Sequence, residues 1–99
     1  MMSNALNTQD ITKALEPLSA WSYEDDALRA SFRFQNFREA IAFIVRISFE
    51  AEANNHHPEL FNVYNKVDIV LRTHDAGNKV TQLDVELARI IQAIASKPQ

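Results

Sequence analysis

Trp21-Ser22-Tyr23-Glu24-Asp25-Asp26-Ala27-Leu28-Arg29-Ala30-Ser31-Phe32-Arg33-Phe34-Gln35 is the stretch that decides the fold. Leu28, Ala30, Phe32 and Phe34 alternate with Arg29, Ser31, Arg33 and Gln35. A period of two means a strand with one apolar and one polar face. Trp21 and Tyr23 alternate with Ser22 and Glu24 in the same way, and Glu24-Asp25-Asp26 is a polar turn. Two alternating runs joined by a short polar turn predict a β-hairpin.

Helices flank the hairpin. Downstream, Asn36 followed by Glu39 has the spacing of a capping box. The helix it opens is expected to run to about Ala53, with Phe37, Ala40, Ile41, Ile44, Val45, Ser48 and Ala51 on one side and Phe43 and Ile47 widening the stripe. Asn54 and Asn55 suit left-handed residues that end it, and Pro58 forbids its continuation. Upstream, Thr8 can cap a short helix with an apolar face of Ile11, Ala14, Leu15 and Leu18, and Pro17 helps end that helix.

A second hairpin follows. Leu60 to Tyr64 is short, and Val67, Ile69 and Leu71 then alternate with Lys66, Asp68 and Arg72. Asp75 to Val80 is a loop holding the only glycine, Gly77. Thr81 and Asp84 can cap a last helix whose apolar face is Leu83, Leu87, Ile90, Ile91 and Ile94. The order helix, strand, strand, helix, strand, strand, helix predicts an α+β fold with helices packed on one face of an antiparallel sheet. The expected organisation is a flexible N-terminus over 1–7, one domain over 8–96 and a frayed tail over 97–99.

Composition narrows the function. A chain of 99 residues is one ordinary domain. Its net charge of −3, with basic residues spread from Lys13 to Lys97, argues against direct contact with nucleic acid. The absence of cysteine removes disulfides, thiolate metal sites and cysteine nucleophiles. The polar start, Met1 to Asp10, has no signal-peptide core, and no apolar run approaches the ~20 residues that span a bilayer. A cytoplasmic protein with no membrane partner is the expectation.

The three histidines carry the functional signal. They stand in Glu52-Ala53-Asn54-Asn55-His56-His57-Pro58 and in Thr73-His74-Asp75-Ala76-Gly77, with Asp84 beyond. An unperturbed imidazole titrates near ~6.5, so these side chains give and take protons near neutrality. If the two strands of the second hairpin pair, His74 returns close to His56 or His57. Each histidine alone is an ordinary surface residue; together, beside two carboxylates and a proline corner, they read as a proton-transfer site. Asp84 is also a good first-turn residue in its own right. Phe61 and Tyr64 read as core or pocket wall. A metal is not expected, because adjacent histidines do not readily chelate one ion and neither His-x-His nor His-x-x-x-His occurs.

Glu52, His56-His57-Pro58, Tyr64, His74 and Asp84 fall at the spacing of the pterin-4a-carbinolamine dehydratase family, which this chain resembles closely. The connecting Phe61-Asn62-Val63-Tyr64-Asn65-Lys66-Val67 and Thr73-His74-Asp75-Ala76-Gly77 are similar as well, and the resemblance covers almost the whole chain. Leu60 departs from it where many members carry tryptophan, and the loop Asp75 to Val80 is about one residue longer than the common form. The resemblance implies a two-layer α+β sandwich with a four-stranded antiparallel sheet. It implies dehydration of 4a-hydroxytetrahydropterin to quinonoid dihydropterin, with no cofactor, in the service of an aromatic amino acid hydroxylase. By analogy, His56 and His74 do the acid–base work, His57 binds or orients, and Glu52 and Asp84 support. Asn55, His56, His57, Pro58, Thr73, His74 and Asp75 would bind the pterin. A homodimer or homotetramer is expected, since the apolar helix stripes look too wide for one small sheet. The competing reading is a protein-binding module that acts as a dimerisation or transcriptional cofactor.

Overall fold

The structure, a computed structural model, describes residues 4–96. The elements are α1 (Thr8–Leu15), β1 (Trp21–Glu24), β2 (Ala27–Arg33), α2 (Phe37–Ala53), β3 (Glu59–Val63), β4 (Lys66–Leu71), a 3-10 turn (His74–Ala76) and α3 (Gln82–Ala95). This is the expected order. The tail expected over 97–99 lies outside the described residues, as do residues 1–3. Leu6, inside the stretch expected to be flexible, donates its N–H to the Val80 carbonyl at 2.8 Å. Among the described residues no helix is long and apolar enough to cross a membrane.

The four strands form one antiparallel sheet in the order β1-β2-β4-β3. Each hairpin pairs internally, and β2 joins β4 with Leu28 opposite Leu71 and Phe32 opposite Val67. Positive φ at Asp25 and Asp26 closes the first hairpin in two residues, as a primed turn requires. One sheet face carries Trp21, Leu28, Ala30, Val67, Ile69 and Leu71, all buried in the core shared with the helices. The alternate residues Ser22, Ser31 and Asp68 lie on the other face, where the Ser31 hydroxyl donates to Asp68 at 2.7 Å. The two-layer α+β sandwich therefore stands as expected.

Some details differ from the sequence reading. Asn7, not Thr8, caps α1, its Oδ1 accepting from the Asp10 N–H at 2.7 Å. The buried stripe of α2 is Ala40, Phe43, Ile47 and Ala51, whereas Phe37 and Val45 are exposed. Phe43 lies at the centre of the core because Phe32 and Phe34 reach it from the first hairpin, with ring centroids 5.3 and 4.8 Å away. The residues expected only to widen the apolar stripe are thus its centre. In α3 the buried set is Asp84, Val85, Leu87, Ala88 and Ile91, while Leu83 is exposed.

Candidate active site

The end of α2 aims the first two histidines. Asn54 keeps a right-handed conformation, and Asn55 alone turns left-handed, with φ 49°. The N–H of Asn55 bonds the Glu52 carbonyl and that of His56 bonds the Ala51 carbonyl, at 3.1 and 3.0 Å. This pair of bonds is the Schellman arrangement, which asparagine at the left-handed position supports. It folds His56 back beneath the helix end, while Pro58 holds His57 in the extended approach to β3. The 3-10 turn after β4 brings His74 to the same place, closed by Gly77 at φ 74° and Asn78 at φ 61°.

Asn55, His56, His57, Arg72, Thr73, His74, Asp75 and Leu83 line one cavity of about 260 Å³. β3 and β4 pair in register, which is the condition on which the return of His74 to His56 and His57 rested. Each imidazole has one nitrogen held by an acceptor. His56 Nε2 lies 2.5 Å from Asp84 Oδ1, His57 Nε2 lies 2.9 Å from Glu52 Oε1, and His74 Nδ1 lies 3.1 Å from Asn78 Oδ1. A neutral ring donates to such a partner from the held nitrogen, so the other keeps its lone pair.

The environments differ sharply. The His57 and Glu52 side chains are 60% and 82% exposed, so that contact orients more than it binds. His56 is 8% exposed and its partner Asp84 is fully buried. Among the described residues only Trp21 Nε1 is a buried side-chain nitrogen or oxygen without a partner. His56 Nδ1, which has no hydrogen bond, is therefore not sealed in, and His56 is one of the residues that line the cavity. Asp84 also accepts from the Thr73 hydroxyl at 2.8 Å and from the Thr81 backbone N–H at 2.9 Å. It caps α3 and holds His56 at once, so its two sequence readings are not alternatives. Among the described residues, no three His, Cys, Asp or Glu side chains converge as a metal ion would need.

The family model of pterin 4 alpha carbinolamine dehydratase matches residues 4–94. The chain belongs to the pterin-4a-carbinolamine dehydratase family. Two relatives whose names assign them provisionally as pterin-4-alpha-carbinolamine dehydratases are similar over nearly their whole length. The one from Opitutus terrae is 53% identical, with 95% of this chain and 97% of that protein covered. The one from Bradyrhizobium sp. strain BTAi1 is 50% identical, with 96% and 97% covered. A crystal structure of a transcriptional coactivator/pterin dehydratase from Brucella melitensis superposes with a TM-score of 0.89 at 41% identity, covering 94% of this chain and all of that one.

In this pterin-4a-carbinolamine dehydratase family member, the expected substrate-binding residues line the cavity with the exception of Pro58. Glu52 and Asp84 stand behind the histidines and not on the cavity wall. Thr73 lines the cavity, but its hydroxyl is spent on Asp84 and Thr81. Phe61 and Tyr64 are neither core nor pocket wall: both are about three-fifths exposed, at an edge strand and its turn. Leu60 also lies off the cavity, so the departure at that position does not alter its wall.

Sequence reasoning missed Arg72 and Leu83, which complete the wall. Arg72 is held by Glu59 through contacts at 2.9 and 3.4 Å. The hydrogen bond and charge of Glu59 push its pKa above the ordinary arginine value. Its place directly before Thr73-His74-Asp75 was the available signal. Leu83 gave none, since an apolar residue in the first turn of a helix reads as core.

Proposed function

We propose that the protein is a dehydratase that converts 4a-hydroxytetrahydropterin to quinonoid dihydropterin and water by histidine acid–base catalysis. In this reaction the C4a–O bond breaks and the hydroxyl leaves with an added proton as water. A neighbouring ring nitrogen loses its proton, and its electron pair forms the new C=N bond. The step needs one acid and one base. The observation that carries the reading is that three imidazoles share one cavity, each with one nitrogen held and the other left to exchange a proton.

His56 suits the base. With Asp84 accepting from Nε2–H, the lone pair sits on Nδ1, which is unbonded and not sealed in. His74, its Nδ1–H held by an amide oxygen, suits the proton donor to the leaving hydroxyl through Nε2 when the ring is an imidazolium, the form that carries a hydrogen on both nitrogens. His57 and Asn55 at one wall and Asp75 at the other would bind and orient the ring. Family resemblance carries the reading further, to a cytoplasmic enzyme that recycles the pterin cofactor of an aromatic amino acid hydroxylase. The test is stopped-flow measurement of 4a-carbinolamine decay with and without the protein. Decay no faster than the measured background would refute the activity.

Exposed apolar residues support a second property. Phe49, 68% exposed, lies on α2 with Phe37 and Val45, and Phe61 and Val63 lie on the edge strand β3. An edge strand with apolar side chains and free backbone groups invites pairing. Self-association to a homodimer or homotetramer is the reading these faces favour. The same surfaces support the alternative of a protein-binding, dimerisation or transcriptional cofactor role, and the Brucella melitensis relative is described as a coactivator. A monomer mass by light scattering at micromolar concentration would count against self-association.

A further inference from the structure

His74 differs from the other two histidines in what holds it. His56 and His57 meet carboxylates, whereas His74 Nδ1 meets the amide oxygen of Asn78 at 3.1 Å. Asn78 does not itself line the cavity. It reaches the ring because the loop after β4 doubles back. The N–H groups of Ala76 and Asn78 both bond the Thr73 carbonyl at 3.1 Å, and the Gly77 N–H bonds the His74 carbonyl at 3.1 Å. The Thr73 N–H closes the loop on the Lys79 carbonyl at 2.8 Å. Two successive left-handed residues make this path, Gly77 at φ 74° and Asn78 at φ 61°. Glycine takes that conformation freely, and asparagine more readily than most other residues. Glycine at both positions would suit the backbone. Asparagine at the second adds an acceptor within reach of an imidazole.

The amide sets its oxygen toward the ring, and the work assigned to His74 gives the reason. As an imidazolium the ring carries a hydrogen on each nitrogen. Once Nε2 has given up its proton, the hydrogen on Nδ1 remains. An amide oxygen accepts from Nδ1–H in both charge states, so the ring keeps its place while the other proton leaves and returns. An NH2 group in that place would set donor against donor in the imidazolium, and the bond would break in every cycle.

We propose that Asn78 is a positioning residue of the acid–base site: its amide oxygen orients the His74 ring and keeps a hydrogen on Nδ1 in both charge states, which makes Nε2 the nitrogen that exchanges a proton with the substrate. The kinetic half of this proposal rests on the dehydratase reading; the tautomer of the resting ring does not. Which ring nitrogen carries the proton is set by the hydrogen bond the ring makes, and here that bond is the one to Asn78.

The test is 15N NMR of histidine-labelled protein without substrate, at alkaline pH where imidazoles are neutral, combined with dehydratase kinetics. The parent protein should show His74 as the Nδ1–H tautomer, the opposite of the Nε2–H form that a free imidazole side chain prefers in water. Asn78→Gly keeps the left-handed backbone and deletes the acceptor. It should return His74 to mainly Nε2–H and lower kcat roughly 3–10-fold, the span of one hydrogen bond. KM should stay within about twofold, because no wall residue changes. Asn78→Asp tolerates the same backbone and still accepts, so it should restore the Nδ1–H tautomer. The Thr73 N–H should stay protected from hydrogen exchange in both variants, showing that the loop remains closed. A His74 that is Nε2–H in the parent, or still Nδ1–H in Asn78→Gly, would overturn the proposal. So would a tautomer shift with kcat unchanged, a failure of Asn78→Asp to restore the tautomer, or loss of Thr73 protection in Asn78→Gly, which would trace the effect to the backbone. An inactive parent protein would refute the dehydratase reading and leave the tautomer results to decide the role of Asn78.

Discussion

Replacing Asp84 with asparagine should switch off His56 while leaving the fold in place. The substitution keeps the size of the side chain and exchanges one carboxylate oxygen for an NH2 group. Oδ2 receives two hydrogens, from the Thr73 hydroxyl and the Thr81 N–H, whereas Oδ1 receives one, from His56. The NH2 group therefore settles toward His56, where it creates one donor conflict and not two. His56 relieves that conflict by moving its proton to Nδ1 and accepting at Nε2. All three hydrogen bonds survive but lose the help of a charge, which makes each about half as strong. The cost should be roughly 2 kcal/mol, or about 8–16 °C in Tm for a domain of this size. Catalysis should suffer far more, because a base whose lone pair faces the wrong way supplies nothing. The expected loss in kcat is ~10²–10⁴-fold, with KM nearly unchanged. Stopped-flow decay of the 4a-carbinolamine against a measured background reads the rate, and 15N NMR reads the tautomer. A folded Asp84→Asn protein with turnover within threefold of the parent, or with His56 still protonated on Nε2, would refute this reasoning.

Other outcomes follow from the same geometry. His56→Ala and His74→Ala should each lower turnover by ~10²-fold or more, and the double replacement should cost less than the product of the two, because they act as a unit. His57→Ala should raise KM more than it lowers kcat, and Glu52→Gln should be milder than either, since that pair is exposed; equal, small losses at all three histidines would contradict the assigned roles. Phe43→Ala should destabilise by about 3–5 kcal/mol in chemical denaturation, because the fully buried ring is packed against Phe32 and Phe34. The exposed Lys79–Asp26 pair, 2.9 Å apart, ties the His74 loop to the first hairpin turn. The Lys79 hydrogen bond lowers the Asp26 pKa below 3.8, and the Asp26 hydrogen bond raises that of Lys79 above 10.5. Its contribution should be complete between those two values, fade as pH falls through the lowered aspartate pKa, and fade as pH rises through the raised lysine pKa. Lys79→Met should therefore lower Tm slightly at neutral pH and leave it unchanged near pH 2; an equal loss at both would show that the pair contributes nothing.

The sequence by itself determined the element order, the hairpins and the histidine cluster. Those features are local: alternation of two along Leu28 to Phe34, cap residues at Asn36 and Thr81, and a proline corner at Pro58 each depend on neighbours a few positions away. Tertiary structure decided the rest. Which α2 residues face inward depends on where Phe32 and Phe34 arrive, so Phe43 and Ile47 are buried and Phe37 and Val45 are not. Phe61 and Tyr64 read as core or pocket wall, but β3 came out at the sheet edge, and Phe61 on it and Tyr64 in the turn after it are both exposed. The different surroundings of the histidines were equally hidden from periodicity and spacing. Adjacent His56 and His57 differ only because Asp84 arrives from α3, 28 residues away, to bury one partner while Glu52 meets the other in solvent. Periodicity records which face of an element is apolar; only chain packing records which distant carboxylate will meet a given imidazole, and that meeting sets which nitrogen is free to take a proton.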